Sequence, residues 1–192
     1  MIKIVMIRHF ATEGNLQKRY IGVTNEPICE CQKDGTNPFI YPNVQGVFAS
    51  PLLRCQQTAR LIYPYIPLYC CNDFRECDFG EFENKNYIEL KDNKNYQTWI
   101  HSNGALPFPG GENPEHFKAR TNEEFYKVLQ MSIKLGYKAI ALIVHGGTIM
   151  SILERYAAQK REFYSWNVEN GNGYIGEFDE KEGRIIHLCT IL

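Results

Sequence analysis

The chain has 192 residues, enough for one substantial core and short for two catalytic domains, so a single domain spanning 1–192 is expected. Apolar types make up 44% of it, and 21 basic side chains face 22 acidic ones for a formal charge of -1, which excludes a disordered chain and a broad nucleic-acid surface. No run approaches 18 apolar residues, and Met1 to His9 is too short for a signal peptide, so a cytoplasmic protein with no membrane attachment is the default expectation.

In chain order, Ile2–Arg8 is a buried strand of β-branched and long apolar residues, followed by a polar loop through Gly14, Asn15 and Gly22. Cys31–Asn43 cannot hold a long helix, because Pro38 and Pro42 interrupt it. Gly46–Ala49 is strand-like and feeds a helix from Pro51 to about Ile62, with Ser50 as N-cap and Pro51 as first helical residue. Arg54 then lies about one turn into a helix whose free amides face an anion. Leu68–Cys71 is a short edge strand, and the 84–104 stretch is polar, aromatic-dotted and helical near Tyr87–Leu90. Asn113-Pro114 starts a helix whose core stripe is Phe117, Thr121, Phe125, Leu129 and Ile133, ending near Gly136. Ala139–Val144 is a strand, Thr148–Ala158 a helix, and Tyr174–Phe178 and Ile185–Cys189 are two strands joined through Asp179–Gly183. The sum is a three-layer α/β/α sandwich on a mixed, mostly parallel sheet.

Two features carry chemistry. Arg8-His9 and His145-Gly146-Gly147 both follow strands, where open α/β sheets place their ligands. A lone histidine there is an ordinary polar terminus, but two histidines with Arg8 and Arg54 describe a phosphate site. Arginine forks hold phosphoryl oxygens and neutralise their charge, while a neutral imidazole is a nucleophile near pH 7. Seven cysteines make an odd number, and Cys55, Cys70, Cys71, Cys77 and Cys189 read as reduced core residues. Cys29-Glu30-Cys31 and Cys70-Cys71 have the wrong spacing for a zinc knuckle, and no compact Asp/His cluster suggests paired metals. Cys77, beside Glu76, is a candidate for oxidative sensitivity.

On Arg8, His9, Thr12 and Asn15, on Ser50 to Ala59, on Phe74 to Glu83, on Pro109-Gly110-Gly111-Glu112 and on Val144 to Gly147, the chain resembles the histidine phosphatase, or phosphoglycerate mutase-like, superfamily. The resemblance implies that His9 becomes phosphohistidine, that Arg8, Arg54, Asn15 and His145 hold the phosphoryl group, and that Thr12 orients the group or its loop. It implies Glu76 as proton donor, with Glu81, Glu83 and Glu112 as substitutes; on residues alone these carboxylates would be a solvated acidic turn. A carboxyl with that role needs a raised pKa.

The resemblance also implies an enzyme with neither metal nor cofactor, acting on a small phosphomonoester as a monomer or homodimer. The chain is short for a phosphoglycerate mutase and resembles the short phosphatase branch, which includes α-ribazole phosphatases. Mutase activity, a broad sugar phosphatase and a noncatalytic phospho-ligand module are the alternatives. A lid or substrate segment is expected at 81–113, with Tyr87, Tyr96, Trp99, His101, Leu106 and Phe108 as an apolar wall for a flat leaving group or simply as lid packing. Arg120 is expected in a salt bridge with Glu123 and Glu124 rather than on a second anion. The family's Gly after its second glutamate is missing at Asn84, which leaves the shape of the Glu76 loop open.

Overall fold

The structure is a computed structural model and describes residues 1–30 and 40–191. Six strands form one sheet in the order β3-β2-β4-β1-β5-β6: β1 (Ile2–Arg8), β2 (Gly46–Ala49), β3 (Leu68–Cys70), β4 (Ala139–Val144), β5 (Gly173–Asp179) and β6 (Arg184–Thr190). β3, β2, β4 and β1 run parallel, whereas β5 pairs antiparallel with β1, and β6 antiparallel with β5 as the short hairpin after Asp179 requires.

The period-two pleat of the strands divides the core in two. Ile2, Ile4, Met6, Phe48, Ile140 and Leu142 face α5 (Pro114–Lys134) and α6 (Gly146–Tyr156), meeting Phe125, Leu129, Ile149 and Ile152. Val5, Ile7, Val47, Ala49, Ala141 and Ile143 face the opposite way, onto Cys55 and Ala59 of α2 (Leu53–Ile62). Two buried faces explain why the central strands read as continuous apolar runs. A third cluster, built on Phe82, Leu90, Tyr96, Phe108 and Phe117, lies under two short helices, α3 (Tyr87–Leu90) and α4 (Lys94–His101). The remaining helix, α1 (Glu13–Leu16), is a single turn after the first strand.

Several boundaries depart from the expectations. α2 starts at Leu53 rather than Pro51, and Ser50 is not its cap. The Leu53 amide is bonded instead to Asn25 Oδ1 at 2.7 Å, so the first amide expected to face an anion is taken, and Arg54 is only the second helical residue. α6 begins two residues early, at Gly146. α5 is capped by Asn113 with Pro114 in its first turn, but Ile133 is 40% exposed; the inward row is completed by Val128 and Ser132. Cys55, Cys71 and Cys77 are free thiols in the interior, whereas Cys70 and Cys189 are free and exposed, on the sheet's two edge strands. Residues 40–43 are in no helix, and the rest of the expectation for Cys31–Asn43, like Cys31 itself, lies outside the described residues. Among the described residues no helix is long and apolar enough to cross a membrane.

Gly173 marks the tightest backbone approach, since a Cβ there would fall on the Met6 carbonyl of the neighbouring β1. Gly173→Ala should therefore cost about 1–3 kcal/mol through overpacking. The measurement is the urea midpoint at unchanged slope; a midpoint equal to the parent's would contradict this close β1–β5 packing.

Candidate active site

β1 and β4 are neighbours in register, with Arg8 opposite Val144, and the His9 amide donates to the Val144 carbonyl at 2.9 Å. Each strand therefore ends on a histidine at the same height. The two rings lie edge to face with centroids 5.1 Å apart, and both are buried.

His9 Nδ1 is 2.7 Å from the Phe10 carbonyl oxygen. A carbonyl only accepts, so Nδ1 carries the proton and the neutral ring presents an unprotonated Nε2. Burial, with Arg54 and Arg8 nearby, holds the His9 pKa well below the usual imidazole value. The loop is anchored from behind: the Phe10 amide donates to Thr58 Oγ1 at 2.9 Å, and that hydroxyl donates to the Arg54 carbonyl. His145 Nε2 lies 2.7 Å from Ser50 Oγ, so the serine positions a histidine instead of capping α2. Burial, Arg54 and His9 push the His145 pKa down as well. Cys55 Sγ is 3.6 Å from the same nitrogen, and burial drives its thiol up to about 12, an inert neighbour.

Arg54 is fully buried, and carbonyls rather than carboxylates hold it. Nη1 donates to Thr24 O at 2.7 Å, and Nη2 to Gly22 O at 2.9 Å and Ile21 O at 3.2 Å. Arg8 Nη1 donates to Val168 O at 2.7 Å. The buried Nε–H groups of both arginines lack a partner among the described residues. Carbonyl dipoles orient these cations without cancelling their charge, which suits capture of a phosphoryl dianion.

Glu76 sits on the loop after β3, between the 3₁₀ turns Asn72–Phe74 and Gly80–Phe82, and its Oε1 accepts from the Cys77 amide at 2.9 Å. Burial raises its pKa more than that bond, Arg54 and Arg8 lower it. The glycines after His145 explain the closeness of these groups. A Cβ on Gly146 would stand 3.6 Å from the Arg8 guanidinium, and one on Gly147 2.7 Å from Glu76 Oε1. Arg8 and Glu76 thus meet the first turn of α6 at adjacent residues.

Thr12 is buried and organises the loop: as cap of α1 it accepts from the Asn15 amide at 3.2 Å, and Asn15 Oδ1 accepts from the Thr12 amide at 3.3 Å. Asn15 also accepts from Asn170 Nδ2 and lines, with Arg8, Lys18 and Asn170, an opening of about 600 Å³. The other glutamates are occupied elsewhere. Glu112 holds Arg120 at 2.7 and 2.8 Å, Glu81 accepts from Asn95, and Glu83 Oε1 accepts from the Gly22 amide, the Thr24 amide and the Thr24 hydroxyl.

Arg120 therefore pairs with Glu112, not with Glu123 or Glu124, and also donates to the Asp73, Arg75 and Glu76 carbonyls, bracing the loop that carries Glu76. Asn84 supplies the left-handed turn, φ 56°, that a glycine would have given. Burial pushes the Cys77 thiol up, which argues against a reactive thiolate there.

Sequence reasoning missed Ser50 as a partner of His145, Asn170, whose Nδ2 donates to the His9 carbonyl at 2.9 Å, and Glu83 as organiser of the loop that holds Arg54. No local pattern marks them, because each acts across the chain on a backbone group or a distant ring. Among the described residues no group of three or more His, Cys, Asp or Glu is placed to hold a metal ion.

The model of the histidine phosphatase superfamily (branch 1) matches residues 4–190. A 2,3-bisphosphoglycerate-dependent phosphoglycerate mutase 2 of Gloeobacter violaceus is 30% identical over 165 residues, covering 80% of this chain and 74% of the mutase. The uncharacterized phosphatase PhoE of Bacillus subtilis is 27% identical over 191 residues, covering 96% of this chain and 93% of PhoE. In fold, the chain is similar to the α-ribazole phosphatase from Shigella flexneri, with a TM-score of 0.78 at 23% identity, covering 94% and 92% of the two chains.

The Glu83 clamp makes a prediction that needs no substrate. Glu83→Ala leaves the Gly22 and Thr24 amides without their acceptor, at about 1–3 kcal/mol for each buried unpaired group. It should also weaken inorganic phosphate binding by loosening the carbonyls that orient Arg54, while Glu83→Gln, which keeps an acceptor, should recover most of both. Urea unfolding and calorimetric titration with phosphate read the two effects. Phosphate affinity untouched in a destabilised Glu83→Ala would break the link to Arg54.

Proposed function

The chain belongs to the histidine phosphatase superfamily, and from that footing we propose that it is a phosphomonoester hydrolase working through a phosphohistidine on His9. Members of that superfamily are phosphatases or mutases. The observation that carries the reading is the His9 tautomer: with Nδ1–H on the Phe10 carbonyl, the lone pair lies on Nε2.

In the first step Nε2 attacks phosphorus, the bond to the leaving oxygen breaks, and Glu76 passes its proton to that oxygen. In the second, the Glu76 carboxylate takes a proton from water, the water oxygen attacks the phosphohistidine, and inorganic phosphate leaves with Nε2 restored. Arg8 and Arg54 hold the non-bridging oxygens throughout, Asn15 adds a contact at the mouth, and His145 donates to an oxygen whose charge grows in the transition state. The two arginines supply the positive charge that phosphoryl transfer elsewhere takes from metal ions, so in this reading turnover needs no metal and no cofactor.

The similarity in fold to an α-ribazole phosphatase makes α-ribazole 5′-phosphate our leading substrate, ahead of sugar phosphates. The 30% identical mutase supports a second reading, phosphoglycerate mutase activity. Free phosphate rather than 2-phosphoglycerate from 3-phosphoglycerate decides between hydrolysis and mutation. We further propose a cytoplasmic enzyme of small metabolites that works as a monomer or homodimer.

In chelator-treated enzyme quenched without acid, phosphate should be mapped by mass to His9, and His9→Ala should lose on the order of 10³-fold or more in rate with loss of the covalent route. Phosphate on His145 with His9 free, or activity that returns only with added metal, would overturn the assignment.

The pH profile follows from two opposite shifts. His9 must be neutral, so activity is lost only as pH falls through a pKa below the ordinary imidazole value. Glu76 must begin protonated, so activity is lost as pH rises through a pKa above the ordinary carboxylate value. Alkyl phosphates should show that alkaline limb in kcat/KM, and Glu76→Gln should remove it while slowing alkyl phosphates far more than p-nitrophenyl phosphate. Equal losses on both esters would exclude Glu76 as the acid.

A further inference from the structure

Beside Glu76 lies a pocket of about 510 Å³, within the range that encloses a drug-sized ligand, walled by Tyr20, Phe79, Trp99, Phe108, Phe117 and Tyr164. Resting on the phosphatase reading, we infer that it is the leaving-group site and that it selects a flat, uncharged aromatic group over a small carboxylate-bearing one. The expected wall is only partly the real one. Trp99 and Phe108 belong to it, Tyr96 is buried behind them, and Tyr87, His101 and Leu106 point to solvent.

Ring geometry makes the pocket rigid. Phe79 and Phe108 meet edge to face at 5.0 Å, Trp99 lies 5.0 Å from Phe108, and Tyr20 packs against Phe79 at 5.4 Å. Tyr96 and Phe82 support these rings from the core beneath α4. Fixed rings lose little freedom on binding, and offset or edge contacts reward another aromatic surface.

The polar groups of the wall point to the same class of ligand. Tyr20 Oη is paired with Tyr96 Oη at 3.2 Å. Lys118, the only lysine or arginine among the described lining residues, is bound to Glu154 at 2.9 Å and sits 4.6 Å from the Phe163 ring centroid. The other ionisable chains of the wall include Glu76, Glu115 and Glu162. A leaving group carrying a carboxylate would meet, among the described lining residues, no unengaged cation and two like-charged groups, Glu115 and Glu162, whereas a neutral ring would meet apolar surface. Glu76 on the wall places the proton donor at the end of the pocket where the ester oxygen must lie.

The test uses three primary alkyl phosphates, so that demand for the acid is similar: 2-(1-naphthyl)ethyl phosphate, propyl phosphate and 3-phosphoglycerate. kcat/KM should fall in that order, with the naphthyl ester ahead of propyl phosphate by on the order of tenfold. Trp99→Ala and the milder Phe108→Leu should each erode that ratio. Preference for 3-phosphoglycerate, or a ratio unchanged in both variants, overturns the inference while leaving hydrolysis intact. Binding of 2-(1-naphthyl)ethanol, followed by calorimetry, is independent of turnover. If no ester is hydrolysed but the alcohol binds the parent and not Trp99→Ala, the phosphatase reading fails and the aromatic site stands; no binding of the alcohol overturns the site.

Discussion

The parallel pairing of β1 with β4 is the constraint on which the site depends. Register sets Arg8 against Val144, and the bond from the His9 amide to the Val144 carbonyl extends the ladder one step past the last strand residue. A slip of one residue would turn every side chain of β1 to the other face, exchanging the row packed on α5 and α6 with the row packed on α2 and moving Arg8 and His9 out of line with Val144 and His145. Apolar burial on both faces forbids that slip, so the same Ile and Val residues that stabilise the sheet also align the two histidines. β2 joins the arrangement through the Ser50 amide, which donates to Ile143 O at 3.1 Å and brings the serine hydroxyl to His145.

Charge at the site is balanced in an unusual way. Arg54 is fully buried and Arg8 partly so, and among the described residues neither has an ion-pair partner, their hydrogen bonds running to carbonyls of Val168, Thr24, Gly22 and Ile21. Burying cations this way is costly until an anion arrives. Their field, added to burial, keeps both imidazoles neutral, and burial outweighs them at Glu76, which favours the protonated carboxyl. One electrostatic arrangement therefore suits the nucleophile, the acid and the anion together.

Much of this was legible in the chain. Ile2–Arg8 and Ala139–Val144 are apolar runs long enough for strands and too short for helices, and Arg8-His9 and His145 follow them directly. Asn113-Pro114 announced its helix, because both a side-chain acceptor and a preset φ are local properties. The misses share one cause, tertiary competition for a polar atom. Ser50-Pro51 has the form of a helix start, yet the hydroxyl went to His145 and the cap came from Asn25, 28 residues away. Arg120 has glutamates at helical spacing, yet a partly buried Glu112 and three carbonyls outcompeted them. Ile133 fits a four-residue stripe, but with 3.6 residues per turn such a stripe drifts about 40° a step, about 160° over the four steps from Phe117 to Ile133.

The central claim is that the fold presents His9 as a neutral imidazole with its proton on Nδ1 and its lone pair on Nε2. ¹⁵N NMR of the imidazole, assigned by comparison with His9→Ala and followed through a pH titration, tests it most directly. The account predicts a protonated Nδ1 and a bare Nε2 that persist well below the ordinary imidazole pKa. A proton on Nε2, or titration of His9 at the ordinary value, would contradict it.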